Sequence, residues 1–219
     1  MKLVVFDVDG TLIDSQDMIV SAMNAGLADA GLPALPRAAI LAIVGLSLPV
    51  AVAQLVPEAS ARQQQQVVAG YRNAYLRGRA QGDAPLYPGA QDCLARLAAR
   101  DDLLLAVATG KARRGLDALI ASHGWGRLFV SLQTADLHPS KPHPAMLQAA
   151  LDEAGVRADA AVMVGDSEFD IAMAVAAGTR AYGVSWGYHP PARLLAAGAD
   201  LVAPDYPALT RALMEWADG

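Results

Sequence analysis

Cysteine is almost missing from these 219 residues: Cys93 stands alone, so no disulfide can form within the chain. A chain that folds without disulfides suits a reducing compartment. No apolar run approaches the roughly 18 residues a membrane span needs. The first one, Leu3 to Phe6, meets Asp7 long before it reaches the length of a signal-peptide core. A cytoplasmic setting away from the membrane is the expectation. Positive charge is also in short supply. The formal net charge is −5 and the pI about 5.2, which argues against nucleic acid as a partner. Against these shortages stands a hydrophobic content of 54% with 18% charged residues, enough for a packed core and unlike a disordered chain.

The chain opens on KLVVFDVDGTL, Lys2 to Leu12. Its apolar, β-branched start has the length of one buried strand. The strand runs into Asp7 and Asp9, two like charges in one small site. That is costly unless a cation or a shared proton compensates.

Between residues 15 and 83 the pattern reads as helices only. One runs from a Ser15 N-cap to about Ala30. A short one follows Pro36, and a third starts at Ser47 or Leu48. A fourth, capped by Ser60, extends to about Gly78 with Val67, Tyr71 and Leu76 inward. Its four-glutamine run, Gln63 to Gln66, reads as a solvated face. From Tyr87 onward strands and helices alternate. Strands are expected at 103–108, 129–132, 161–164, 180–184 and 201–203, with helices at about 89–100, 113–123, 143–154, 168–177, 191–197 and 207–217.

Such alternation predicts an α/β fold with a parallel sheet covered on both faces. Residues 1–14 and 84–219 form this core, and residues 15–83 are an inserted helical domain. In parallel sheets ligands bind at the carboxyl ends of the strands. An insert leaving from such an end is placed to act as a lid. It carries five arginines against four acidic residues, so it is less acidic than the core, in keeping with an anionic substrate.

Four polar clusters fall at strand ends or helix starts: Asp7-Val8-Asp9-Gly10-Thr11, Thr109-Gly110-Lys111, Ser140-Lys141-Pro142 and Gly165-Asp166-Ser167. Each alone is commonly a turn or a cap, and Asp166 or Ser167 can serve as an N-cap with Asp170 in the first helical turn. Their joint order carries the argument. Converging Asp7, Asp9 and Asp166 suit a hard divalent cation, and Mg²⁺ fits few carboxylates plus a phosphate oxygen. Thr109, Lys141 and backbone N–H groups freed by Gly10 and Gly110 suit an anion.

The motifs DVDGTL, ATGK, SKPHP and VGDSEFD together resemble the haloacid dehalogenase-like phosphohydrolase superfamily. The similarity extends over essentially the whole chain, to the subgroup with a helical cap that includes phosphoglycolate phosphatase and β-phosphoglucomutase. The resemblance implies a three-layer, Rossmann-like core and Mg²⁺-dependent hydrolysis of a small phosphorylated metabolite. Asp7 is then the nucleophile that forms an aspartyl-phosphate, and Asp9 the general acid and base. Thr109 and Lys141 hold phosphate, with Gly10, Thr11 and Gly110 around it. Asp7, the Asp9 carbonyl and Asp166 hold Mg²⁺, with Asp170 and Ser167 in support. Gly110 departs from the asparagine many relatives carry, which leaves only its backbone N–H for phosphate. The Gly45-Leu46-Ser47 loop sits where a cap specificity loop is expected, so Gly45 and Ser47 are candidates there.

A phosphomutase of the β-phosphoglucomutase type is the alternative, and a non-enzymatic phosphate-binding protein a third reading. Monomer and homodimer stay open. The four histidines show no zinc spacing. Arg72 and Arg77 read as a solvated helix face, and Ser185 to Tyr188 as packing beside the site.

Overall fold

The computed structural model describes residues 1–219, the side chain of Gln81 apart. Six parallel strands form one sheet in the order β3-β2-β1-β4-β5-β6. They are β1 (Lys2–Phe6), β2 (Leu103–Thr109), β3 (Ser131–Thr134), β4 (Ala161–Gly165), β5 (Arg180–Val184) and β6 (Leu201–Ala203). β1 lies between β2 and β4, with Val5 level with Ala106 on one side and Met163 on the other. The strand order therefore reverses beside β1, the place in an open parallel sheet where a crevice forms.

Alternate residues of each strand point to opposite faces, and both faces are buried. Val4, Phe6, Leu105, Val107, Val162 and Val164 pack beneath α5 (Ala90–Ala98) and α10 (Tyr206–Asp218). Leu3, Val5, Ala106, Ala108 and Met163 pack on the other side against α7 (Ala145–Ala154) and α8 (Glu168–Ala177). Two further helices complete the layers: α6 (Arg113–Ser122) beside β3, and α9 (Pro191–Ala196) beside β5 and β6. The result is the three-layer, Rossmann-like α/β architecture expected of the sequence.

The first strand hands over to four successive helices, α1 (Gln16–Asp29), α2 (Arg37–Leu41), α3 (Leu48–Leu55) and α4 (Ala61–Gln81). They enclose a small core of their own, with Ile19, Met23 and Leu27 of α1 against Ile40, Val52 and Val67. α4 starts where expected: Ser60 Oγ accepts from the Gln63 N–H, and the Gln63 side chain accepts in return from the Ser60 N–H. Gly155 and Gly178 end α7 and α8 in left-handed conformation, as their positions suggested.

Several boundaries differ from expectation. β3 begins two residues later than the apolar run at Phe129 suggested, because the buried, polar Ser131, Gln133 and Thr134 pair with β2. Leu76 is not inward: it is 42% exposed. The inward face of α4 continues from Val67 and Tyr71 to Tyr75 at four-residue spacing, which places Leu76 about 100° around the helix. Ser15 and Ser47 precede helices but do not cap them through their side chains. Cys93 is buried, and burial pushes its thiol up to about 11. Among the described residues no helix is long and apolar enough to cross a membrane.

Candidate active site

Asp7 follows the last residue of β1 and Asp166 the last of β4, so adjacent strands deliver both carboxylates to one crevice. Asp170, one turn into α8, joins them. One oxygen from each of the three lies within 4.8 Å of the others, and all three residues are buried. Lys141 enters the same space from the segment before α7. Its Nζ donates to Asp7 Oδ1 at 2.8 Å and to Asp170 Oδ1 at 2.5 Å. The lysine is 1% exposed. Burial works against its charge, but Asp170 and Asp7 outweigh that and raise its pKa.

Three carboxylates against one ammonium leave an excess of negative charge in a dry setting. Burial pushes Asp7 above the usual carboxylate range despite Lys141, and burial with Asp170 and Asp7 nearby pushes Asp166 well above it. A hard divalent cation with oxygen ligands is the counter-charge such a cluster fits.

The surroundings hold each carboxylate in one pose. Asp166 accepts from the Tyr188 N–H at 2.8 Å and from the Thr11 hydroxyl at 3.1 Å. Asp170 accepts from both the N–H and the hydroxyl of Ser167, closing a capping box at the start of α8. Gly10 has φ +85°, and a Cβ there would stand 2.2 Å from Asp166 Oδ2. Only glycine lets the turn after β1 approach the carboxylate at the end of β4 so closely.

Asp9 does not converge on the other carboxylates. Its side chain turns to a second set of partners: Ser15 Oγ donates to Oδ1 at 2.6 Å, and Lys111 Nζ lies 2.9 Å from Oδ2. The third member of the acidic cluster is Asp170 instead, brought there by the first turn of α8. Ser15 in turn meets the Tyr188 hydroxyl at 2.9 Å, and Lys111 donates to the Tyr75 hydroxyl of α4 at 2.9 Å. Burial disfavours the Lys111 charge, but the neighbouring Asp9 carboxylate more than restores it.

Thr109 ends β2 and is buried, its hydroxyl accepting from the Lys111 N–H at 3.2 Å. Gly110 faces the loop between α2 and α3: a Cβ there would lie 2.7 Å from the Gly45 carbonyl oxygen. Gly45 itself has φ +106° and packs on Ser167. The Ser47 N–H donates to Ser140 Oγ at 2.8 Å, tying the same loop to the segment that carries Lys141.

Asp7, Asp9, Thr109, Gly110, Gly45 and Ser47 all border one cavity of about 500 Å³ between the helical insert and the carboxyl ends of the strands. Asp166, Asp170 and Lys141 lie behind Asp7, in contact with it or with one another.

Four contributors escaped the sequence reading. Lys111 stood in a quoted motif without a role. Ser15 looked like a cap, Tyr188 like packing, and Tyr75 like nothing in particular. Only Lys111 and Tyr188 had a signal, their place just after the ends of β2 and β5. His189 also proves structural: it is buried, its Nδ1 accepts from the Glu168 N–H, and its Nε2 therefore donates to the Ala42 carbonyl after α2. Arg72 and Arg77 are exposed, as expected of a solvated face.

Comparisons with known proteins agree with this arrangement. Residues 4–184 match the family model described as haloacid dehalogenase-like hydrolase. "Probable phosphatase IndB" of Dickeya dadantii is 37% identical over 93% of this chain and 90% of its own length. A phosphoglycolate phosphatase of Rhodospirillum rubrum is 36% identical over 95% of this chain and 89% of its own. A crystal structure of a hydrolase from Pseudomonas syringae superposes with a TM-score of 0.87 at 25% identity, covering 98% of this chain and 99% of that one.

Proposed function

We infer the reaction from this premise: the chain belongs to the haloacid dehalogenase-like hydrolase family and is a phosphatase, similar to phosphoglycolate phosphatases. We propose that it hydrolyses a small phosphomonoester, with Mg²⁺, through a phosphoryl group carried transiently on Asp7. The observation that carries the reading is the buried cluster of Asp7, Asp166 and Asp170 around Lys141, with Asp7 alone of these reaching the cavity.

In the proposed reaction a carboxylate oxygen of Asp7 attacks phosphorus in line with the leaving alcohol. The bond from phosphorus to the ester oxygen breaks, and Asp9 supplies the proton that oxygen needs. Asp9, now a carboxylate, takes a proton from water, whose oxygen displaces Asp7 from phosphorus. Free carboxylate and inorganic phosphate result. Lys141 and the Thr109 hydroxyl hold phosphate oxygens, with the backbone N–H of Gly110 beside them. Gly10 and Thr11, expected to help, instead donate their N–H groups to the Ile13 and Val8 carbonyls and shape the turn. The residues present fit a cation: Asp7, Asp166 and the Asp9 carbonyl would hold Mg²⁺, with Asp170 and Ser167 behind them. Mg²⁺ bound there supplies neutralisation of the phosphate charge, so that an anionic carboxylate can approach it.

Residues 15–83 serve in this reading as a cap over the site, with Gly45 and Ser47 on the loop nearest the leaving group. A cytoplasmic location goes with it. The test is Mg²⁺-dependent phosphate release from an aryl phosphate by the wild type, abolished by Asp7→Asn. A wild type that releases no phosphate from a broad panel overturns the reading. Interconversion of sugar phosphates without net release points to a phosphomutase instead.

A further inference from the structure

We propose that the alcohol half of the substrate is apolar and larger than glycolate: an aryl or medium-chain alkyl phosphomonoester. The proposal rests on the phosphatase reading and names the substrate class of that same site. At about 500 Å³ the cavity above Asp7 and Asp9 falls in the range of roughly 300–1,000 Å³ that holds drug-sized ligands. A two-carbon leaving group would leave most of it unfilled.

The walls are the second argument. α1 contributes Ile19 and Met23, and the loop before α3 contributes Ile43, Val44 and Leu46. Leu48 begins α3, and α4 adds Leu76 and the stacked pair Tyr71 and Tyr75, whose ring centroids are 5.7 Å apart.

Charge is the third. A carboxylate placed among such side chains needs a cation or it stays unpaired. Lys111 borders the cavity, but its Nζ is already committed to Asp9 and to the Tyr75 hydroxyl. The other two cations on the lining, Arg72 and Arg114, are exposed to solvent, where an ion pair contributes little. The lining therefore selects for apolar contact on the leaving group and offers a short carboxylate no buried partner.

The deciding experiment compares kcat/KM, with Mg²⁺, for n-alkyl phosphates from methyl to hexyl, for phenyl phosphate and for phosphoglycolate. The expected result is a rise of about fourfold for each of the first few methylenes buried, with phenyl and hexyl phosphate above phosphoglycolate. Leu48→Gln and Leu76→Gln should each flatten that rise, and Leu76, being 42% exposed, tolerates glutamine without a cost to folding. A flat series, or phosphoglycolate above hexyl phosphate, overturns the proposal. Calorimetric binding of the unhydrolysable n-alkylphosphonates separates the two claims. If affinity rises with chain length while no ester is hydrolysed, the phosphatase reading fails and the apolar site stands. If affinity is also independent of length, the apolar site fails too.

Discussion

Lys111 Nζ lies 2.9 Å from Asp9 Oδ2, and so the carboxylate proposed to manage the proton is held away from the acidic cluster. The same ammonium reaches Tyr75 of α4 at 2.9 Å, which links that carboxylate to the helical insert. Ser15 holds the other Asp9 oxygen at 2.6 Å. The pose of Asp9 thus depends on both parts of the chain.

Replacing Lys111 by methionine keeps the stem and removes the charge. The expected outcome is a fall in kcat of about 10- to 100-fold, the scale of loss when a reacting group is misplaced. KM should change less, and Lys111→Arg should recover part of the loss. Tyr75→Phe keeps the ion pair and removes one hydrogen bond, a loss of about 1 kcal/mol. Steady-state kinetics on an aryl phosphate tests the first variant and chemical denaturation the tyrosine one, and an unaltered kcat in the methionine variant rules out a role for Lys111 in placing Asp9.

Metal binding should be linked to protons. Burial raises Asp7 from the ordinary carboxylate value to about 7. Between these two values the folded chain holds a proton there that the unfolded chain has lost. By linkage this part of the stability is present at low pH and disappears as pH rises toward 7. The metal-free protein should therefore lose melting temperature across that interval. Mg²⁺ should restore it most strongly at pH 8, where no proton competes. Calorimetry in buffers of different ionisation enthalpy should show protons released on binding at pH 6. A melting temperature at pH 8 indifferent to millimolar Mg²⁺ is the adverse result.

Gly110 is predicted to be intolerant of a side chain. Its missing Cβ leaves room for the Gly45 carbonyl, which would otherwise be 2.7 Å away. A backbone atom yields little, so Gly110→Ala should displace the Gly45 loop and cost about 1–3 kcal/mol, the usual scale for overpacking. Chemical denaturation measures this, and the same variant should lower activity through the loop that borders the cavity. Wild-type stability and kinetics in Gly110→Ala would show the contact to be slack.

His189 gives a stability prediction of opposite sign to Asp7. Burial, helped by Arg193, lowers its pKa from 6.5. Below 6.5 the unfolded chain takes up a proton that the folded chain refuses, so this contribution is full above that pH and is lost as pH falls through the depressed value. The stability difference between wild type and His189→Gln should be largest above pH 7 and shrink toward pH 5. A difference independent of pH contradicts the neutral tether between α8 and the residue after α2.

How far the sequence was legible follows the range of each interaction. Strand and helix identities rest on periodicity and caps within a few residues, and β1, β2, β4, β5 and the Ser60 cap of α4 all appeared where local pattern put them. β3 slid by two residues because Ser131, Gln133 and Thr134 are buried by pairing with β2, a fact with no local signature. Leu76 left the insert's core for the exposed edge of the cavity because the inward phase of the helix, set by Tyr71 and Tyr75, passes it by.

By itself the sequence determined which side chains stand at the ends of the parallel strands, since apolar runs ending in Asp7, Thr109 and Gly165-Asp166 are written into the order of residues. It also determined the likeness to a family through motifs set in that order. Tertiary structure alone decided which carboxylates meet. Asp170 joins Asp7 and Asp166, while Asp9, two residues from Asp7, is drawn off by Lys111 and Ser15. It alone decided the character of the cavity, because α1, α3 and α4 contribute walls from distant parts of the chain. The physical reason is reach. Hydrophobic period and turn chemistry act over a few residues, whereas charge pairing and cavity shape depend on side chains that folding brings together across more than a hundred.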